Sequence, residues 1–331
     1  MSRRALLTAL AVLPLLAACG EKPMLGQEEP AMRPRPLQKK METIAEQAAP
    51  AILGVAAEDL GTRQLRSFNG DRPFALGSAA RVPILAGVMA EAAEGRLPAN
   101  ETIAVRDVDL SPPPSAVADA WPERAAYGVA ELERLALAGD NTALDLLTKR
   151  IGGPGAVDGW LGVKRIDGIS VDRYRRQILP EALGLASFRA GWKGEAAWRR
   201  AVDATPAADR QRAARRLLDD TRDIATPVAM VRLLEALNTR EVFTSADPRR
   251  LLGQDPGYLT ASLPKGAKLW QAAGSEPADL GVTPESHAVA LVELKDGRRV
   301  AIAIFLTGST ASVGEREAVI ARAAQAVLND F

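Results

Sequence analysis

Phe74-Ala75-Leu76-Gly77-Ser78-Ala79-Ala80-Arg81-Val82-Pro83 is the stretch on which the reading of this 331-residue chain turns. Apolar residues then recur at Val82, Leu85, Val88 and Met89, so the spacing predicts a helix over 78–94. Pro83 comes early enough in that helix to be tolerated. Residues three apart share a helical face, which sets the Ser78 hydroxyl beside the Arg81 guanidinium. A desolvated lysine in that place accepts a serine proton, whereas arginine stays protonated to about pH 12. Two readings of Ser78 stand side by side: a helix N-cap worth about 1 kcal/mol, or a nucleophile without its base.

Around this helix the chain changes character twice. A short helix is expected over 42–49, ending near Pro50, then strands over 52–58 and 64–68 joined by a turn at Gly61-Thr62. The middle reads as helical over 129–137, 142–150, 155–161, 195–218 and 227–238, after a rigid Pro112-Pro113-Pro114 loop. Apolar runs over 288–295 and 298–306 flank Asp296-Gly297, a strong hairpin signal, and an amphipathic helix over 315–328 closes the chain. Strands at both ends with helices between imply an α+β fold: a sheet subdomain of about 41–77 plus 226–331, and a helical subdomain of about 78–225 inserted into it.

Composition narrows the function classes. Hydrophobic residues make up 47% and charged residues 25%, as in an ordinary globular protein. A net charge of +1 argues against nucleic acid as a partner. Arg199, Arg200, Arg210, Arg212, Arg215 and Arg216 crowd one segment, read as a solvated helix face. With one His and one Cys, neither a metal site nor a disulfide is expected, and no cofactor motif occurs. His287, at the start of a strand, reads as a surface or edge residue rather than a member of a Ser-His-Asp triad. Gly152-Gly153 and Gly308 read as turn glycines rather than a phosphate loop.

Arg3-Arg4, an apolar run over 5–17 and Leu16-Ala17-Ala18-Cys19 together resemble a bacterial lipoprotein signal. The resemblance implies removal of residues 1–18 and lipidation of Cys19. Residues 19–40, rich in Pro, Glu, Gln and Arg, read as a flexible tether. The expected location is the cell envelope, facing the periplasm. Gly20 after the cysteine points to the outer rather than the inner membrane in a Gram-negative host.

Several segments occur in a telling order: Gly54-Val55-Ala56, the Ser78-x-x-Arg81 helix, Gly139-Asp140-Asn141-Thr142-Ala143, Ile151-Gly152-Gly153-Pro154, Ala225-Thr226-Pro227 with Met230, and Phe305-Leu306-Thr307-Gly308-Ser309. From about residue 41 onward this order resembles the class A serine β-lactamases, which share a fold with penicillin-binding transpeptidases. The resemblance implies an antiparallel sheet flanked by helices, with Ser78 as the nucleophile. That family works with S-x-x-K, S-D-N, K-T-G and a glutamate acting through water. Here Arg81 stands at the first Lys, Gly139 at the Ser of S-D-N, and Ala272-Ala273-Gly274 at K-T-G. Arg175 matches the deacylating glutamate, with Leu179 near the water-binding amide; another register would promote Asp167, Asp172 or Glu181. The resemblance further implies an oxyanion hole from the amides of Ser78 and Ser275, a structural Asp140 and an Asn141 facing substrate. Residues 184–220 exceed the family's usual length and read as an insertion, a helix beside the site.

The expectation is therefore an envelope protein with little or no β-lactam hydrolysis. Its cleft would bind a peptidoglycan fragment or an envelope protein, with the arginine-rich insertion as a contact surface. The alternative is an active serine hydrolase, of β-lactamase, peptidase or esterase type, with Ser78 activated by Arg81 and an unlocated carboxylate. A third is a sensor or carrier that acylates without turning over.

Overall fold

The computed structural model describes residues 36–331 apart from 240–247, 254–256, 277–278, 282 and 284. Cys19 and its signal segment lie outside the described residues. Helix α1 (Pro36–Gln47) leads into strands β1 (Ile52–Asp59), β2 (Gln64–Phe68) and β3 (Phe74–Ala75). A 3-10 turn at Gly77–Ala80 opens α2 (Arg81–Ala93), followed by β4 (Thr102–Ala104), α3 (Ala116–Ala120) and β5 (Ala126–Gly128). Helices α4 (Val129–Leu137), α5 (Asn141–Arg150) and α6 (Pro154–Val163) precede β6 (Ile169–Ser170), α7 (Arg175–Ala182), α8 (Glu195–Asp203) and α9 (Ala207–Leu218). The chain ends with β7 (Ile224–Ala225), α10 (Pro227–Asn238), β8 (Lys268–Ser275), β9 (Ser286–Glu293), β10 (Arg299–Thr307) and α11 (Val313–Leu328).

The main sheet runs β2-β1-β10-β9-β8, antiparallel at every pairing. Successive strand residues face opposite sides, and both sides are covered. Val300, Ile302, Ile304 and Leu306 of β10 pack with α1 and α11, while Ala301, Ala303 and Phe305 face the helical side. Helix α2 is buried nearly all round, so it lies at the centre of the helical subdomain, with Ser78 at its mouth against the sheet.

Three sequence expectations change. The expected tether ends earlier, because α1 starts at Pro36; Leu37, Met41 and Ile44 recur at helical spacing and bury against the α11 side. The expected long helix over 195–218 is two helices, α8 and α9, since Pro206 has no N–H to continue the ladder. The insertion is accordingly a pair of helices rather than one. Arg210 leaves the solvated face: it is half-buried and pairs with Asp279, between β8 and β9, at 3.0 Å. Arg199, Arg200, Arg212, Arg215 and Arg216 stay exposed.

Candidate active-site cleft

Residue by residue, the structure brings the predicted set together. Ser78, Arg81, Gly139, Asn141, Arg175 and Gly274 line one cleft of about 230 Å³, together with Asp140, Leu179 and Ser275. A Cβ added to Gly274 would stand 2.7 Å from the Ser78 Oγ, which measures how closely β8 passes the hydroxyl.

Ser78 is not a cap. The N-cap position of α2 is Ala80, and no side chain caps it. Instead the Ser78 backbone N–H donates to Glu285 Oε1 at 3.0 Å. The other oxygen, Oε2, lies 2.7 Å from His287 Nδ1. Gly77 makes this approach possible: at φ +48° it has no Cβ, and one placed there would fall 1.7 Å from Glu285 Oε1.

His287 is therefore neither exposed nor at an edge. It is fully buried on β9, an interior strand, opposite Gly274, and its ring stacks on Phe305 at 6.2 Å. The alternation that sends Val289 and Leu291 toward the helical core sends His287 the same way. Its Nε2 has no hydrogen-bond partner among the described residues.

The two arginines are held differently. Arg175 lies on α7, whose first turn is fixed by Asp145: the carboxylate accepts the N–H groups of Arg175 at 2.7 Å and Arg176 at 2.9 Å. Its guanidinium donates to Asn141 Oδ1 at 3.3 Å, to the Gly77 carbonyl at 2.9 Å and to Glu276 Oε1 at 3.2 Å. Arg81 Nη2 donates to the Ala273 carbonyl at 3.0 Å, and its buried Nε has no partner. Burial and the neighbouring Arg175 charge push the Arg81 guanidinium below its ordinary range, more than Glu285 and Glu276 raise it.

The S-D-N-like segment has turned structural. Gly139 closes α4 at φ +95°. Asp140 caps α5 through the Ala143 N–H and also accepts from Ser115 Oγ at 2.8 Å and the Val117 N–H at 3.0 Å. Asn141 does not offer its amide to the cleft: Nδ2 donates to the Pro112 carbonyl at 3.0 Å while Oδ1 receives Arg175.

Among the alternative carboxylates, Asp172 accepts the Asp223 N–H and Glu181 pairs with Arg173 and Arg222, while Asp167 is exposed. None lines the cleft. Besides Asp140, Glu276 lines it, and Glu285 lies buried against the Ser78 amide; neither glutamate was read from the sequence as a site residue. A trace was present for Glu285, because Glu285 and His287 are two apart and share one face of an extended segment.

As an ensemble these residues can hold a small ligand by hydrogen bonds and charge. They offer a serine hydroxyl, but the residue on its helical face is a permanent cation. The oxyanion donor expected at Ser78 is spent on a carboxylate.

Residues 36–331 match the family model described as the Beta-lactamase enzyme family. The chain is 23% identical to β-lactamase VEB-1 of Pseudomonas aeruginosa over 298 residues, covering 89% of this chain and 90% of that protein. It superposes on a β-lactamase from Chitinophaga pinensis with a TM-score of 0.70 at 21% identity, over 89% of this chain and 99% of the other. On an ancestral Gram-negative class A β-lactamase the TM-score is 0.67 at 22% identity, over 89% and 100% of the two chains. The mixed fold, the serine at the mouth of α2 and the match along the whole described domain agree, and the chain belongs to the β-lactamase enzyme family.

Proposed function

We propose that this protein is a β-lactamase-family domain that has lost efficient hydrolysis and uses its cleft to bind. The ligand class is a cell-wall fragment or an envelope protein. We place the protein in the envelope, facing the periplasm and anchored through lipidated Cys19, on the outer membrane in a Gram-negative host. The observation that carries the loss of hydrolysis is the Ser78 amide bonded to Glu285 Oε1 at 3.0 Å. A tetrahedral intermediate needs that N–H for its oxyanion, and a carboxylate in the same place repels the developing charge. Losing one such donor costs roughly 10²–10³ in rate. Arg81 adds the loss of a base, worth on the order of 10²–10⁴.

The second reading, an active serine hydrolase, is favoured by the Glu285–His287 pair at 2.7 Å, a carboxylate and imidazole next to the hydroxyl. One experiment separates the readings. Purified protein is incubated with a chromogenic cephalosporin and, in parallel, a fluorescent penicillin, each against Ser78→Ala. The binding reading expects neither colour change nor label above the variant. Turnover that vanishes in Ser78→Ala defeats it in favour of the enzyme, and a stable label without turnover defeats it in favour of an acylating sensor.

A further inference from the structure

We propose that Arg81 is the seat of a carboxylate, so that the ligand of this cleft is a small carboxylic acid or a peptide C-terminus bound without covalent chemistry. The proposal rests on the binding role given above and adds its chemistry.

The first support is an imbalance between the two buried cations. Every donor group of Arg175 is engaged, and Glu276 neutralises it. Arg81 has one hydrogen bond, to a neutral carbonyl, and no carboxylate within ion-pair distance among the described residues. A buried cation without a counter-ion is costly, and an incoming anion relieves that cost. The depression of the Arg81 guanidinium by burial and by Arg175 points the same way.

The second support is the arrangement of donors around it. Nη1 of Arg81 faces Gly139, where a Cβ would stand 3.9 Å away, so the missing side chain leaves that edge of the guanidinium clear. Among the described residues the Ser78 hydroxyl makes no hydrogen bond, and the buried Ser275 Oγ has no partner. Both residues line the same cleft. The start of α2 adds its positive end to the site. A guanidinium edge flanked by hydroxyls suits a planar carboxylate, to which it donates charge-assisted hydrogen bonds. Glu276 and Glu285 set the limit: they already balance Arg81 and Arg175 in charge, so a monoanion adds a single negative charge beside Arg81, whereas a dianion such as phosphate adds two against the carboxylates in place.

The test is calorimetric titration of the full-length protein at fixed ionic strength with acetate, N-acetylglycine, acetamide and inorganic phosphate. N-acetylglycine stands for a peptide terminus, acetate for a free acid and acetamide for the same shape without charge. The expected result is that the carboxylates bind, acetamide and phosphate do not, Arg81→Met weakens binding at least 10-fold and Arg81→Lys keeps part of it. Without ligand, Arg81→Met is expected to melt no lower than the parent, since an unpaired buried charge has gone. Should that variant fail to fold, the Nε–Hε resonance of Arg81 in the parent protein, assigned through Arg81→Lys, must shift on adding N-acetylglycine. Equal binding of acetamide, preference for phosphate, indifference to Arg81 or absence of carboxylate binding each overturns the proposal. None of these touches the loss of hydrolysis, which only Ser78-dependent turnover or a Ser78-dependent label disproves.

Discussion

Arg81 and Gly139 are the single residues on which the proposed loss of hydrolysis bears most directly. At Arg81 the side chain is longer than lysine, permanently charged and tied to the Ala273 carbonyl. On the proposed reading, restoring an amine is not enough. In Arg81→Lys the Ser78 amide still donates to Glu285 and Arg175 still fills the place opposite. We expect cephalosporin turnover by Arg81→Lys to equal that of Ser78→Ala, and a Ser78-dependent rate in a spectrophotometric assay would contradict this. Gly139→Ser is expected to fail for another reason. At φ +95° any side chain is strained, at a cost of about 1–2 kcal/mol, so the variant should lose that much stability in urea denaturation and gain no turnover.

The junction of α5 with α7 is where an element places a site residue. Asp145 on α5 holds the first two amides of α7 and accepts the Ser111 hydroxyl at 2.6 Å; burial pushes its carboxyl from 3.8 up to about 6. For an acid raised on folding, the native state binds more protons than the unfolded chain between those two values. Stability therefore falls as pH rises from about 4 to 6, by about 3 kcal/mol at most from this group, and levels off above. Asp145→Asn removes that slope. Urea melts of parent and variant between pH 4 and 7 should differ by an amount that changes with pH; a constant difference refutes the assignment. The same segment is pinned from its other side by Arg173, paired with Asp223 at 2.6 Å. Arg175 thus enters the cleft from a clamped helix start.

Across the molecule, the five-stranded sheet divides two cores, and α1 seals the one away from the cleft. Leu37, Met41 and Ile44 are each worth about 1.5–3 kcal/mol when buried, together a large part of a domain's stability. A chain beginning at Arg35 should keep a cooperative thermal transition by circular dichroism, while one beginning at Ala48 should lose it. A cooperative melt in the shorter chain would show that α1 contributes little.

Much of this arrangement is local chemistry and could be read from the residues in order. Apolar runs marked β1, β9 and β10, the Gly61-Thr62 turn marked the return into β2, helical spacing marked α2 and α10, and Asp296-Gly297 marked the hairpin between β9 and β10. The spacing of Ser78 and Arg81 sufficed to put a hydroxyl and a cation on one face. Pro206 was visible too, and its missing N–H is a local reason for the break between α8 and α9. The environment of Ser78, by contrast, was out of reach. Glu285 meets the Ser78 amide from 207 positions away, and only the register of β8 with β9 turns Glu285 and His287 beneath α2. No periodicity within either segment encodes that meeting, because contacts between distant strands and helices follow from how the sheet packs.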